Sequence, residues 1–182
     1  VHNTAAGPND IRVFSTADPS AGTPSYTARG TVSVITYGTN LVAWGDPFTA
    51  GHPAIAVLVC AQGVFKVNTS SNACELILPL SGVLGDGLAA ARGIATGGLY
   101  VGTKNGDILE LMVTGFGSIQ VKNVGPESKG AYRDSEGMVS DRKGYATFIY
   151  GDDPTWLFVG YGGNSSGQYA SILAMNYKTG AW

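Results

Sequence analysis

Short apolar runs separated by glycine-bearing turns recur along this chain. The clearest example lies in residues 97–111, where two runs of apolar residues flank the segment Lys104-Asn105-Gly106-Asp107. Runs of this length around a glycine turn are typical of antiparallel β-hairpins. The same pattern predicts hairpins at 56–67 and 156–175, and another in which 31–37 leads through Gly38-Thr39-Asn40 into 41–44.

These hairpins recur at a regular spacing. Aligning their central valines, Val59, Val101 and Val159, gives separations of 42 and 58 residues. The first separation matches one four-stranded propeller blade, which takes about 40–50 residues. Insertions near 152–154 and 162–167 account for the longer second separation.

The predicted architecture is an all-β fold of consecutive antiparallel hairpins in a β-propeller-like arrangement. A closed ring usually needs four to eight blades. Three to four units are visible, so the ring is small, completed by another chain or absent. Residues 1–30 are rich in Pro, Gly, Ser and Thr and predict an extended N-terminal arm, with one strand-like run at 11–15. The remainder is predicted to be a single domain with units at about 31–80, 81–130 and 131–182.

The segment 88–92 has the strongest helix-forming composition of the chain. It is bounded by Gly87 and Gly93, and a helix of this length is not stable by itself. We therefore expect residues 89–95 to form an inner strand with small side chains.

Composition and charge exclude several classes of partner. The chain has 182 residues, of which 27 are glycine, and its charged fraction of 13% is about half the usual share. The net charge is -2 and the isoelectric point is near 5.6, so no basic field is available to neutralise the phosphates of a nucleic acid. No apolar stretch reaches the roughly 18 residues that cross a bilayer, so membrane insertion is not expected.

The two cysteines, Cys60 and Cys74, lie within one predicted hairpin unit. They form either a disulfide, which would indicate an oxidising compartment, or two separate buried thiols. Two sequons make Asn68 and Asn164 candidates for glycosylation. Both features would suit a secreted glycoprotein.

Two segments resemble known propeller repeats. Residues 99–108 resemble blades of the quinoprotein-like, NHL and SMP-30-like β-propeller families, in which strand, glycine turn and strand recur. Residues 173–182 are similar to the end of a quinoprotein blade, where a Thr-Gly turn precedes a tryptophan, and also to propeller-bearing tail proteins of bacteriophages. The resemblance implies a blade fold, and an extracellular or virion-associated location. It implies no single activity, because these families include enzymes, lectins and scaffolds.

The similarity to SMP-30-like enzymes implies one catalytic alternative. Asp86 and Glu136 would face a central channel and, with Asp141, would bind calcium in a hydrolase of the lactonase or phytase type. The other interpretation is that these acidic residues belong to polar turns. No catalytic residue is assigned, because no nucleophile motif is present and His2 and His52 do not make a convincing zinc site.

Aromatic residues are the better binding candidates. Trp156 and Tyr161 lie beside the two insertions and are predicted to be exposed contacts, with Trp44 as a third candidate. Most aromatic residues are expected to pair across strands. An unclosed sheet also leaves edges that favour self-association. The sequence therefore favours a non-catalytic, self-associating recognition or assembly module that binds glycan or protein without a cofactor, and calcium belongs only to the alternative.

Overall fold

The computed structural model describes residues 9–15, 27–34, 40–44, 55–68, 73–80, 87–115, 118–126, 145–162 and 171–182. These ranges consist of β-strands, tight turns and short connecting segments, and no helix within them is long and apolar enough to cross a bilayer. The strands are β1 Asn9–Ser15, β2 Thr27–Val34, β3 Asn40–Trp44, β4 Ile55–Cys60, β5 Gly63–Asn68, β6 Ala73–Pro79, β7 Gly87–Arg92, β8 Leu99–Thr103, β9 Ile108–Gly115, β10 Ser118–Asn123, β11 Tyr145–Tyr150, β12 Trp156–Gly162 and β13 Ser171–Asn176.

The strands form antiparallel sheets in which chain neighbours pair. Sheet 1 has the order β3-β4-β5-β6, sheet 2 the order β7-β8-β9-β10, and sheet 3 the order β11-β12-β13, while β1 and β2 pair as a separate two-stranded sheet. The all-β prediction is confirmed. Each of the three predicted units contains one of the larger sheets.

Three of the four predicted hairpins are present, as β4-β5, β8-β9 and β12-β13. The predicted hairpin between 31–37 and 41–44 is wrong, because β2 pairs with β1 and β3 pairs with β4. The strand-like run at 11–15 lies within β1, and β2 crosses the expected end of the arm at residue 30. The helix-forming segment 88–92 lies in β7 and is a strand, as expected, but the strand ends at Arg92, so residues 93–95 of the expected strand lie in the turn region that follows.

Sheet 2 lies between the other two larger sheets and packs against one of them with each of its faces. Every residue of β8 is buried. Leu99 and Val101 pack in a cluster with Trp44 and Val59 of sheet 1, whereas Tyr100 packs with residues of sheet 3. Side chains alternate between the faces of a strand, so two separate cores flank β8.

A regular packing rule relates consecutive sheets. The first strand of sheet 2, β7, packs on β3 and β4, and the first strand of sheet 3, β11, packs on β7 and β8. In each case a first strand lies against the first and second strands of the preceding sheet.

Small residues allow this close approach. A Cβ atom on Gly102 of β8 would lie 2.7 Å from the carbonyl oxygen of Ala146 in β11 and 2.8 Å from its Cβ. A Cβ atom on Gly87 of β7 would likewise lie 2.8 Å from the carbonyl oxygen of Cys60 and 3.0 Å from Val59 Cγ1. The backbones of neighbouring sheets therefore approach each other closely at these two glycines.

The alignment of the three valines is wrong by one position in sheet 1. Val59 faces the following sheet, as its approach to Gly87 shows, while Val101 and Val159 face the preceding sheets. A shift of one residue moves a side chain to the opposite face of a strand. The structural counterpart of Val101 and Val159 is therefore Leu58.

Candidate functional site

Trp44 connects sheet 1 to sheet 2. Its indole Nε1 donates a 2.9 Å hydrogen bond to the carbonyl oxygen of Gly97, in the turn between β7 and β8. The ring itself is buried in the core between these sheets. Trp44, a predicted binding residue, is therefore inaccessible to a ligand.

Trp182 makes a matching connection between sheets 2 and 3. Its indole Nε1 donates a 2.7 Å hydrogen bond to the carbonyl oxygen of Val124, beyond β10, and its ring packs on the core between the two sheets. The turn before it is held by Asn176, whose side chain accepts from the backbone amides of Lys178 and Thr179. This segment fastens the last sheet to the middle one.

Two tyrosines lie between sheets 2 and 3, with ring centroids 5.8 Å apart. The Tyr100 hydroxyl donates to Glu110 Oε1 at 2.5 Å and is 3.0 Å from Thr96 Oγ1, and burial raises the pKa of Tyr100. The Tyr177 hydroxyl donates to the carbonyl oxygen of Gly151 at 3.1 Å. Burial, reinforced by nearby carboxylates, raises the pKa of Tyr177 to about 12. Both tyrosines are therefore protonated at neutral pH and contribute to the packing between sheets 2 and 3.

An open groove of about 360 Å³ lies where turns of sheets 2 and 3 meet, lined by residues 95–96, 154–155 and 176–178. Several of its polar groups already have partners within the chain. Thr96 contacts Tyr100, Tyr177 N donates to the Thr155 carbonyl oxygen, and Asn176 caps its own turn. The groove is therefore a candidate by shape and has few free polar groups to orient a ligand.

The most distinctive surface is the face of sheet 3 that points away from sheet 2. We call it the outer face of sheet 3. Four of its apolar side chains are exposed, with fractions of 53% for Phe148, 47% for Tyr150, 40% for Trp156 and 73% for Ile172. Phe158 lies half-buried among them, with its ring centroid 6.4 Å from that of Tyr150.

Strand register explains why these residues share one face. Phe148, Gly160 and Ile172 are cross-strand partners in one row, and Tyr150, Phe158 and Ala174 are partners in the next. The intervening residues of the same strands point to the other side and pack in the core with sheet 2; they are Ile149, Leu157, Val159, Leu173 and Met175. Both faces of sheet 3 are thus apolar, and one is open.

Comparison with known proteins supplies no identity. No family model matches the chain, and no curated protein matches its sequence. The function must therefore be argued from the chain's own surfaces.

The two aromatic residues predicted to be exposed contacts differ in their exposure. Trp156 is accessible on the outer face of sheet 3. Tyr161 is 5% exposed, so the expectation that it is an exposed contact is wrong. It lies five positions after Trp156 in β12, and an odd separation places it on the opposite, buried face. Sequence reasoning did not select Phe148, Tyr150 or Ile172, which the strand register, and not a sequence motif, places on the exposed face.

Of the two alternatives for Cys60 and Cys74, the disulfide is not formed. Cys60 has a free, buried thiol that contacts Gln62 Oε1. Cys60 lies opposite Gly63, whereas Cys74 lies opposite Val67, two strands across and four residue positions along. That offset is about 13 Å along the strands alone, well beyond the Cα separation that a disulfide spans.

The remaining predicted sites are largely beyond what the structure describes. The calcium candidates Asp86, Glu136 and Asp141 lie outside the described residues, as does Asn164. Asn68 is the last residue of β5. Within the described ranges, no group of three or more His, Cys, Asp or Glu residues is positioned to hold a metal ion.

Proposed function

We propose that the protein is a non-catalytic assembly module, a propeller-like series of sheets that associates with protein through the outer face of sheet 3. The observation that carries the proposal is the group of exposed apolar side chains on this face. Self-association is the first form of assembly to test.

The packing rule supports the propeller-like part of the proposal. Consecutive antiparallel meanders, each packed in the same way on the preceding sheet, fit a radial series of blades. By the same rule, a further sheet would pack on β11 and β12. Those two strands supply Phe148, Tyr150, Trp156 and Phe158.

The composition of the outer face supports an assembly role. Apolar side chains are exposed on all three of its strands. Its four exposed apolar residues present on the order of 400 Å² of side-chain surface, which is the size of patch that often marks an interaction site. Aromatic residues are also enriched in the centres of protein interfaces.

The same side chains favour protein over glycan. A sugar needs polar groups that orient its hydroxyls as well as an aromatic platform. The most exposed apolar residues of the face, Ile172 and Phe148, provide no hydrogen-bonding groups. An apolar protein surface would bury these side chains more completely than a sugar would.

Sedimentation velocity over a range of concentrations tests the proposal. We expect wild type to form a species heavier than the 18.8 kDa chain, and Phe148→Ser to shift it toward monomer. Ile94→Ser is the matched control, because Ile94 is similarly exposed but lies in the turn after β7. A wild type that stays monomeric at every concentration would contradict self-association, and unchanged association of Phe148→Ser would contradict the choice of the outer face of sheet 3 as the contact.

A further inference from the structure

We infer that the edge of β13 that faces away from β12, which we call the free edge of β13, binds an antiparallel β-strand of a partner polypeptide. This contact is separate from the outer face of sheet 3, because it consists of backbone hydrogen bonds at the rim of the sheet. The hydrogen bonding of the β13 backbone, the number of strands in its sheet and its own sequence all point to such a strand.

The backbone of β13 presents donors and acceptors on the side away from β12. Tyr177 N donates to the Thr155 carbonyl oxygen, which fixes the alternation of hydrogen-bonded pairs along the register of the two strands. Every second residue of β13 therefore points its N–H and C=O groups outward; these residues are Ile172, Ala174 and Asn176. Asn176 N donates to the Ala181 carbonyl oxygen at 2.8 Å, and its own carbonyl oxygen accepts from Gly180 N. Among the described residues, no strand pairs with the outward groups of the other two.

Sheets 1 and 2 each have a fourth strand at the position that is open in sheet 3. β6 pairs with the third strand β5, and β10 pairs with the third strand β9. Val101 and Val159 are counterparts, and their cross-strand partners are Leu109 and Leu173. Leu109, beside β10, is 2% exposed, whereas Leu173 is only half-buried although it also packs on the core with the preceding sheet. A fourth strand on β13 would cover Leu173 in the same way.

The sequence of β13 lacks the residues that protect a free edge. Proteins discourage pairing at exposed edges with charged side chains, proline and bulges. The last strands of sheets 1 and 2 have such residues, Glu75 and Pro79 in β6 and Lys122 in β10. β13 contains no charged residue and no proline, and no register shift interrupts its pairing with β12. Its composition is that of a strand paired on both sides.

Trp182 defines where the partner strand begins. Residues 177–180 turn the chain so that Ala181 lies beside Asn176, and the ring of Trp182 packs on the core that contains Met175. The stretch of β13 before Met175 stays open among the described residues, because β1 and β2 pair with each other and the other strands belong to the larger sheets. The partner strand starts beside Trp182 and runs antiparallel to β13, as β10 runs along β9.

Amide hydrogen exchange measured by NMR tests the inference, with a synthetic peptide of the β10 sequence as the probe, since β10 fills the equivalent edge of sheet 2. In the free chain, we expect the amides of Leu173 and Met175 to exchange slowly and those of Ile172 and Ala174 to exchange fast. With the peptide at about ten times its Kd, exchange at Ile172 and Ala174 should slow about tenfold.

Ala174→Pro is the decisive variant, and Ala174→Val is its matched control. Proline removes the outward N–H of residue 174, and an edge strand tolerates this because that group is not part of the ladder with β12. We expect Ala174→Pro to weaken peptide binding about tenfold or more and Ala174→Val to stay within about threefold. A peptide N-methylated at Gln120 and Lys122, the residues that bond to β9 in sheet 2, should lose binding similarly and leaves the protein unchanged.

Each contrary outcome has a distinct meaning. Equal peptide binding by Ala174→Pro and Ala174→Val, or no protection of Ile172 and Ala174 at millimolar peptide, would overturn the inference. Slow exchange of both amides in the free monomer would show that the chain itself covers the edge, and slow exchange only on self-association would assign the edge to a second copy; either result overturns a partner strand. Phe148→Ser should bind the peptide as wild type does, so failure of the proposed function leaves this test intact.

Discussion

The contact between Gly102 and Ala146 gives the sharpest test of how sheets 2 and 3 pack. In Gly102→Ala, the new Cβ would lie 2.7 Å from the carbonyl oxygen of Ala146 and 2.8 Å from its Cβ. Carbon atoms pack favourably at about 3.5–4.0 Å, so the two backbones would have to separate by about 1 Å. Neither atom belongs to a flexible side chain that could move aside.

We expect this substitution to lower the free energy of unfolding by about 1–3 kcal/mol, the usual cost of overpacking. Without this contact, alanine would stabilise a strand by about 0.5–1 kcal/mol relative to glycine. A loss of stability in Gly102→Ala would therefore come from the contact with Ala146. Urea denaturation measures it as a lower midpoint with an unchanged slope.

Gly162→Ala is the matched control, because Gly162 is likewise a strand glycine, the last residue of β12, and its added Cβ would lie at an ordinary 3.4 Å from Thr147. We expect it to be neutral or stabilising. If Gly102→Ala were as stable as Gly162→Ala, sheets 2 and 3 would not approach as described.

Three further predictions concern individual hydrogen bonds and one titration. Trp182→Phe removes the donor to the Val124 carbonyl oxygen and should lower the free energy of unfolding by about 1–2 kcal/mol in urea titrations; no change would exclude the bond. Asp153→Ala leaves two backbone amides uncapped and should cost about 0.5–2 kcal/mol in the same assay. Tyr177 has a folded pKa of about 12 against an ordinary 10.0, so its stabilisation is complete below pH 10 and is lost as pH rises toward 12. Stability measured across this range should fall less steeply in Tyr177→Phe, and equal slopes would contradict the assignment.

The hairpins could be predicted because their turns and apolar runs are local. Lys104-Asn105-Gly106-Asp107 is a polar segment with Gly106 at φ 83°, a conformation that glycine adopts without strain. The pairing of β2 could not be predicted in this way, since its partner β1 precedes it and the segment between them, residues 16–26, is rich in Pro, Gly, Ser and Thr but too long to indicate a tight hairpin turn.

The orientation of the strands was harder to predict, for a physical reason. In β4, Val57, Leu58 and Val59 are all buried. The alternation of apolar and polar residues that marks a half-buried strand is therefore absent, and the sequence does not show which residues point to which face. In β11 an irregularity between Ala146 and Phe148 interrupts the alternation. That strand was not predicted, and with it Phe148 and Tyr150 were missed.

The candidate site was therefore only partly predictable. Trp156 and Tyr161 are both aromatic and lie in the same strand, but only the register of β12 shows that one is exposed and the other buried. Ile172 carries no functional signal in its sequence. It stands out only because it is exposed and no strand of the described residues covers it.

The most direct test of the assembly role is hydroxyl-radical footprinting of wild type at low and high protein concentration, read out by mass spectrometry. If the outer face of sheet 3 is the contact, oxidation of Phe148, Tyr150 and Trp156 should fall as the protein associates, while oxidation of Leu76 and Ile94 stays constant. Association that leaves the oxidation of those three aromatic residues unchanged would contradict the account.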